Sequence, residues 1–274
     1  MRATHHSGRY SGGRKHNDRE FDLDSAPHID QTKQNKNFYL SRYKGMPFAE
    51  AEQKFYKEYF KDMISDINRR ADASRHKERR TSAEKLLSSK KTMPEEVIFQ
   101  IGDKDTHVDM NVLYAVFSDF QKWHQSKFKN HVKLLNVAFH ADEQTPHIHI
   151  RRVWVYDDPK GFKAIGQHKA LEQMGYTLPD KSKKRSRFNN LKVAYTAECR
   201  KKWLEVCRNH GIDIEQTPKK RPISKTNLKK NDFIIEKQTE KLQELQNAVL
   251  SEKNELNNLL VLSLIHISEP TRPY

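Results

Sequence analysis

Apolar positions in this chain are sparse but clustered, and their period changes from segment to segment. From Pro47 onward Phe48, Phe55, Tyr59, Met63 and Ile67 recur at spacings of four and seven with charges between them, which predicts a helix over 47 to 72. Residues 73 to 91, thick with Arg and Lys, read as a second, polar surface helix. EEVIFQIG, residues 95 to 102, has the length and β-branched content of a buried strand. Asp109 then caps a helix whose apolar face is Leu113, Val116, Phe117 and Phe120. HVKLLNVAFHADE and PHIHIRRVWVYDD follow as two strands joined by a short polar connection, an antiparallel hairpin.

Beyond the hairpin, 167 to 175 and 190 to 210 read as helices. The second carries Val193, Ala197, Trp203, Leu204 and Cys207 on or near one face and stops at Gly211. A basic linker is expected over 216 to 232. In the tail after it Ile235, Leu242, Val249 and Leu256 repeat every seven, with Leu245 and Leu259 three beyond members of the series, which predicts a coiled-coil seam over 233 to 261. Residues 1 to 46 show no sustained period and read as an arm rather than a packed layer. LSLIHISEPTR, residues 262 to 272, resembles the translation of a sequencing adapter. Residues 262 to 274 are therefore expected to be an assembly artefact that cuts the coiled coil short.

Composition narrows the function classes. Hydrophobic residues make up 35% of the 274 and charged residues 32%, so a core is confined to part of the chain. No run approaches the roughly 18 to 20 apolar residues of a spanning helix, and the amino end is too polar for a secretory signal, so a cytoplasmic location is expected. Cys199 and Cys207 sit eight apart without a CxxC context, which excludes a disulfide framework or zinc knuckle. The 51 Lys and Arg against 36 Asp and Glu leave +15, a field that attracts polyanions. Residues 180 to 230 hold 16 basic and 5 acidic side chains, or +11 of that excess. Lys183, Lys184, Arg185 and Arg187 are the expected nucleic-acid-contacting residues.

The chemistry concentrates in His140-Ala-Asp-Glu-Gln-Thr-Pro-His147-Ile-His149. Alternation on a strand puts His147 and His149 on one face and sends Ile148 and Ile150 into the layer behind. His140, ending the strand before in phase with Leu134, Asn136 and Ala138, lies across the hairpin from them. Three imidazoles with open positions suit Mn, Zn, Fe, Co or Ni better than Mg or Ca. Mn is the first expectation, with Mg, Zn, Co or Ni as alternatives. Glu143 is a fourth ligand, a general base or a turn carboxylate.

This HxDExTPHxH pattern, together with Lys15-His16-Asn17-Asp18-Arg19 upstream, resembles the plasmid mobilisation and recombination proteins called Mob/Pre, the MobV-type relaxases, over roughly residues 14 to 210. The resemblance implies an α+β, HUH-type domain with a central antiparallel sheet flanked by helices. It makes His140, His147 and His149 the metal ligands and matches Glu143 to the motif glutamate. His16 of HNxR becomes the nucleophile; Arg19, one turn or a tight bend away, would orient the phosphate or keep His16 unprotonated through its positive charge. A strand usually precedes HNxR in this family, whereas here that stretch reads as irregular. The asparagine and NYEL-like segment expected after HNxR appear only as His28-Ile29-Asp30 and Asn37-Phe38-Tyr39-Leu40.

The expected organisation is an arm with HNxR over 1 to 46, a relaxase core over 47 to 215, the linker and the coiled coil. The expected activity is strand-specific nicking and rejoining at a plasmid or integrative-element transfer origin, through a covalent protein–DNA intermediate that serves mobilisation, conjugation and recombination. The partners would be single-stranded or hairpin origin DNA and, through the coiled coil, a second copy of the chain. The competing readings are a DNA-binding protein with a structural metal and a rolling-circle initiator with a tyrosine nucleophile.

Overall fold

The structure is a computed structural model that describes residues 1–8, 14–26, 28–215 and 225–268. In chain order its elements are β1 (Ala3–Gly8), α1 (Arg14–Asp18), β2 (Phe38–Ser41), α2 (Phe48–Tyr59), α3 (Lys61–Ala73), α4 (Ala83–Ser88), β3 (Glu95–Ile101), α5 (Met110–Phe128), β4 (Val132–His140), β5 (His147–Asp157), β6 (Lys163–Ile165), α6 (Gln167–Gln173), α7 (Leu191–Asn209) and α8 (Lys225–Ser268). A central antiparallel sheet runs in the order β1-β3-β5-β4-β2, with β6 on the far end of β5. Helices flank it, as expected for an α+β fold of this class. Among the described residues no helix is long and apolar enough to cross a membrane.

Strand alternation sorts β5 into two faces. Ile148, Ile150 and Trp154 point into a core built with Phe99, Phe117, Phe120, Tyr195 and Trp203 from β3, α5 and α7. Val153 and Val155 enter a second core with Phe55, Tyr56, Phe60, Met63 and Leu86 from the α2 to α4 segment. His147, His149 and Arg151 share this second face, on a length of strand where ionisable groups replace the hydrocarbon. The sheet thus has one face over a mainly apolar core that also buries the Arg152–Glu95 pair and His5, and one face divided between a core and a polar site.

The hairpin, the strand at 95 and the helix after Asp109 form where the periodicity places them, and Asp109 accepts from the backbone of Asn111 and Val112 at 2.7 and 3.1 Å. Other expectations are corrected. The arm is not separate from the core: β1 pairs with β3 from Ala3↔Ile101 to Gly8↔Glu96, and β2 pairs with β4 from Phe38↔Phe139 to Ser41↔Asn136. The strand ahead of HNxR therefore exists, as an edge. The 47–72 helix breaks at Phe60, which leaves helical geometry (φ −106°, ψ 18°) while its ring is fully buried in the second core. The 73–91 helix shrinks to a 3-10 turn at Lys77–Arg79 and α4, whose Ala83 and Leu86 are buried.

Two phase errors have local causes. A β-bulge between Leu134 and Asn136 puts Leu134 opposite Arg152 and Asn136 opposite Arg151, so Leu134 is not in phase with His140. On α7 the buried residues are Leu191, Tyr195, Cys199, Trp203, Val206 and Cys207; Ala197 is exposed, and Val193 and Leu204 are half-buried. Of the expected linker, 216–224 lies outside the described residues and 225–232 is already helical. Of the last expected segment, 262–268 continues α8 and 269–274 lies outside the described residues. Along α8, Ile235, Leu242, Leu245, Val249, Leu256 and Leu259 are all more than half exposed.

Candidate metal centre

The β4–β5 hairpin registers His140 directly opposite His147 and Ala138 opposite His149, so three imidazoles share one face at the end of the sheet. Their ring centroids lie 4.8 to 5.2 Å apart. His140 and His149 are buried and His147 nearly so, at 8% exposure. Each ring is held through one nitrogen. His140 Nε2 donates to the Asn17 carbonyl at 3.1 Å, His147 Nδ1 to the Thr145 carbonyl at 2.9 Å, and His149 Nδ1 to Glu96 Oε1 at 2.6 Å. Those acceptors select the tautomers, because a carbonyl or carboxylate oxygen takes only a proton-bearing nitrogen. The lone pairs are left on His140 Nδ1, His147 Nε2 and His149 Nε2.

Two of these, His140 Nδ1 and His149 Nε2, are buried without a hydrogen-bond partner. A buried bare acceptor costs free energy unless something fills the space before it. The two imidazoles are also kept neutral. Burial, with His149, Arg19 and His147 beside it, pushes His140 down to about 2, and burial with His147 and His16 holds His149 well below the ordinary range. Neutral, converging, fixed and unpartnered nitrogens are what a divalent ion with imidazole preference requires. The residues fit the group.

His16 joins them. One ligand atom from each of His16, His140, His147 and His149 falls within a group no wider than 4.8 Å. Its ring is 5.3 Å from those of both His140 and His149. The helix that carries it, α1, is five residues long and cannot hold a position by itself. Its end is locked instead by a Schellman-type closure, in which Arg19 N–H bonds the His16 carbonyl at 3.4 Å and Glu20 N–H the Lys15 carbonyl at 2.9 Å. The position after the helix needs φ > 0, and Arg19 occupies it at φ 59° where glycine would be unstrained.

The Arg19 side chain explains why glycine is not used. Its Nε and Nη2 donate to Asp142 at 3.0 and 2.5 Å, and Nη2 also to Glu143 Oε1 at 2.9 Å. Asp142, fully buried, takes a third bond from Asn37 Nδ2 at 2.6 Å, and Asn37 Oδ1 receives the Ala141 N–H at 2.8 Å. On the other side of α1, Asp18 accepts the Phe48 N–H at the start of α2 at 2.9 Å. The arm is thus pinned at both ends over the histidines.

Glu143 lies among the imidazoles, with Oε1 3.4 Å from His16 Nε2, 3.7 Å from His147 Nε2 and 3.8 Å from His140 Nδ1. Burial pushes this carboxyl up, but the His16 hydrogen bond and the charges of His147, His16 and Arg19 outweigh it and hold it far below the ordinary range. Glu143 is therefore an anion facing the bare nitrogens.

Beneath the site runs a support that sequence reasoning missed. Glu96 bonds His149 through Oε1 and Arg151 Nη1 through Oε2 at 3.3 Å, and Arg151 is clasped in turn by Glu52 of α2, whose Oε2 accepts Nη2 at 3.1 Å. Glu52, Glu96 and Arg151 are all buried. One signal pointed this way: Arg151 is in phase with His147 and His149 on a central strand, and a guanidinium buried there requires carboxylates.

The expected DNA-contacting residues sit elsewhere on the domain, on the exposed loop before α7. Lys183 is paired with Asp180 at 2.8 Å, whereas no described carboxylate forms an ion pair with Lys184, Arg185 or Arg187. In the Arg-rich stretch 69 to 80, Arg69 and Arg70 pair with Asp66 and Arg80 with Asp72.

No known protein-family profile matches the chain, and no curated protein matches it. The chain is similar to solved structures of the MobM relaxase domain (MOBV; Mob_Pre) bound to plasmid pMV158 oriT DNA, all Mn-bound. With 22 nucleotides at pH 5.5 the identity is 15%, 84% of this chain and 100% of that chain are covered, and the TM-score is 0.49. With 23 nucleotides at pH 6.5 the figures are 13%, 84%, 99% and 0.47. With 22 nucleotides and a 3′ thiophosphate at pH 6.8 they are 14%, 82%, 96% and 0.46.

Proposed function

We propose that this chain is a plasmid-mobilisation relaxase that binds a transfer origin, nicks one strand and holds the cut strand on His16. The observation that carries the reading is the convergence of three hairpin imidazoles, two of them with unpartnered buried nitrogens, with a fourth histidine brought in from the arm by Arg19 and Asp142. The three hairpin histidines alone leave positions open, which is the character of a catalytic rather than a structural site.

His140, His147 and His149 would hold a divalent ion, with Mn as first choice. Bound there, the ion supplies Lewis-acid stabilisation of charge on the scissile phosphate's non-bridging oxygens. Glu143 Oε1, 3.4 Å from His16 Nε2, would take the imidazole proton as the lone pair of a His16 ring nitrogen attacks phosphorus. The P–O3′ bond breaks, the proton taken from His16 passes from Glu143 to the departing 3′ oxygen, which leaves as a hydroxyl, and phosphorus stays bonded to His16 and to the 5′ strand. Bond energy is conserved, so a later 3′ hydroxyl can reverse the step. Arg19, held by both acids, keeps His16 in line and adds positive charge beside the phosphate.

Tyr39 is the tyrosine beside the site, its ring 6.4 Å from that of His140. Burial pushes its hydroxyl above the ordinary value, which disfavours the phenolate a tyrosine mechanism needs. Tyr43 donates instead to Glu58 at 2.8 Å, and Tyr10 lies outside the described residues. The second reading, a structural four-histidine site, is favoured by His16 lying within the same ligand group. Mn affinity of His16→Ala separates the two: nearly unchanged for a nucleophile, greatly weakened for a ligand. The function itself is tested by incubating the protein with Mn and a supercoiled plasmid carrying the neighbouring origin. Relaxed circles carrying covalently attached protein are expected.

A further inference from the structure

We propose that Phe188 is a nucleobase-stacking residue, and that the loop holding it binds unpaired bases of a DNA strand. The inference rests on the DNA-binding reading above. Phe188 is 81% exposed, the most exposed of the large hydrophobic side chains described. A single exposed apolar side chain is ordinary on a protein surface. Two features set this one apart.

The first is that the loop is built. Asn189 is buried, and its Nδ2 donates to the carbonyls of Asp180, Lys183 and Lys184 at 2.8, 3.1 and 3.3 Å while its Oδ1 accepts the Asp180 N–H at 3.0 Å. Asn190 Nδ2 closes the next turn on the Ser186 and Arg187 carbonyls, each at 3.0 Å, and caps α7 through the Val193 N–H. Ser186 Oγ receives the Phe188 N–H at 3.3 Å. Two asparagines thus satisfy the loop's backbone from inside and leave the phenyl ring standing outward. Ordering a loop to present an apolar ring to water has no folding benefit.

The second is charge. Lys181, Lys183, Lys184, Arg185 and Arg187 fill five of seven positions before the ring, and all are exposed. The Arg187 guanidinium lies over it at 5.6 Å. An aromatic platform ringed by cations matches a polyanion that carries planar π-faces, which is a nucleic acid strand. Base pairing in duplex buries those faces in the stack, so the ring gains contact only where bases are unpaired. Phosphates meet the cations in either form, which makes the phenyl ring the part that tells single strand from duplex.

The test is binding of one labelled oligonucleotide, single-stranded or as a blunt duplex, without metal so that nicking plays no part. Phe188→Ala is expected to weaken single-strand binding by about tenfold, to change duplex binding less than about twofold, and to leave the salt slope as it was. Phe188→Trp should keep the affinity, and its fluorescence should be quenched by single-stranded DNA. Equal losses on both DNA forms, or no loss on either, overturn the proposal. Covalent adduct formation by Phe188→Ala at saturating origin DNA is measured in parallel. Adduct formed with no single-strand defect sinks the stacking role alone, and a wild-type protein that binds neither DNA sinks the relaxase reading with it.

Discussion

Asp142 and Arg19 form a two-pronged ion pair, Nε to Oδ2 at 3.0 Å and Nη2 to Oδ1 at 2.5 Å, between a fully buried carboxylate and a guanidinium side chain 6% exposed. They are 123 residues apart in the chain. The pair fastens a five-residue helix to the end of the central hairpin, and with it places His16 over the bare nitrogens of the other histidines.

Arg19→Lys keeps the charge but cannot make both bonds to Asp142, because an ammonium is a point donor and a guanidinium a fork. Nicking by this variant is expected to fall at least about tenfold, the usual scale for a misplaced reacting group. Mn affinity should stay within a few-fold of wild type. Plasmid nicking and calorimetry on the same preparation check the split, and equal losses in both would mean that Arg19 supports the metal site rather than His16.

Glu96 fixes the His149 tautomer from below. Glu96→Gln should weaken Mn binding by roughly 10- to 100-fold, as expected for the partner of a ligating imidazole. His147→Ala removes a ligand outright and should lose more. Calorimetric titration with Mn reads both, and undiminished affinity in His147→Ala would remove that residue from the site.

The parts of this fold that were legible in the sequence are those specified locally. β3, α5 and the β4–β5 hairpin each carry their own period and caps within a dozen or so residues, and the two hairpin histidines were placed by alternation alone. What escaped was specified at long range. β1 is an edge strand with His5 turned to the apolar core and His6 to the other face, so it reads as polar until its pairing with β3 is known. The bulge at Leu135 inverted the phase of Leu134 with no glycine or proline to mark it. Glu52 reaches Arg151 across 99 positions, and no spacing rule links a helix glutamate to a strand that distant.

The far face of the sheet predicts a pH dependence. Burial, with Arg152 nearby, pushes His5 down to about 3 and His124 down to about 2, so both are neutral in the folded protein. In the unfolded chain they take up protons near pH 6.5. Their folded values are lowered, so the unfolded state binds more protons below that pH, and stability falls as pH drops from about 6.5 toward 3. Each group costs about 1.4 kcal/mol per pH unit over that range. Glu95 acts in the same direction lower down: burial raises it, but Lys192 and Arg152 outweigh burial and hold it at about 2, so its stabilisation is lost as pH falls from about 4.5. His124→Gln, which keeps a partner for the Tyr195 hydroxyl now 2.6 Å from His124, should reduce the slope of unfolding free energy against pH by one proton between pH 6 and 4.5. Urea titrations across that range measure it, and an unchanged slope contradicts the assignment.

The heptad face of α8 leaves Leu242, Val249 and Leu256 between 57 and 63% exposed. Burying such side chains is worth roughly 1.5 to 3 kcal/mol each, enough to drive pairing with a second copy. The protein is expected to sediment as a dimer at micromolar concentration, and Leu242→Asp with Val249→Asp as a monomer. Sedimentation equilibrium reads the difference, and a monomeric wild type rules the seam out.

The most direct measurement is mass spectrometry of the peptide trapped on origin DNA in the presence of Mn. His16 is expected to carry the nucleotide through a phosphoramidate that is acid-labile and base-stable, because a protonated nitrogen leaves readily, and His16→Ala should bind DNA and Mn yet trap none. An adduct on Tyr39 or Tyr43 would contradict the histidine mechanism. No adduct on any residue, with origin DNA and Mn both bound, would contradict the relaxase itself.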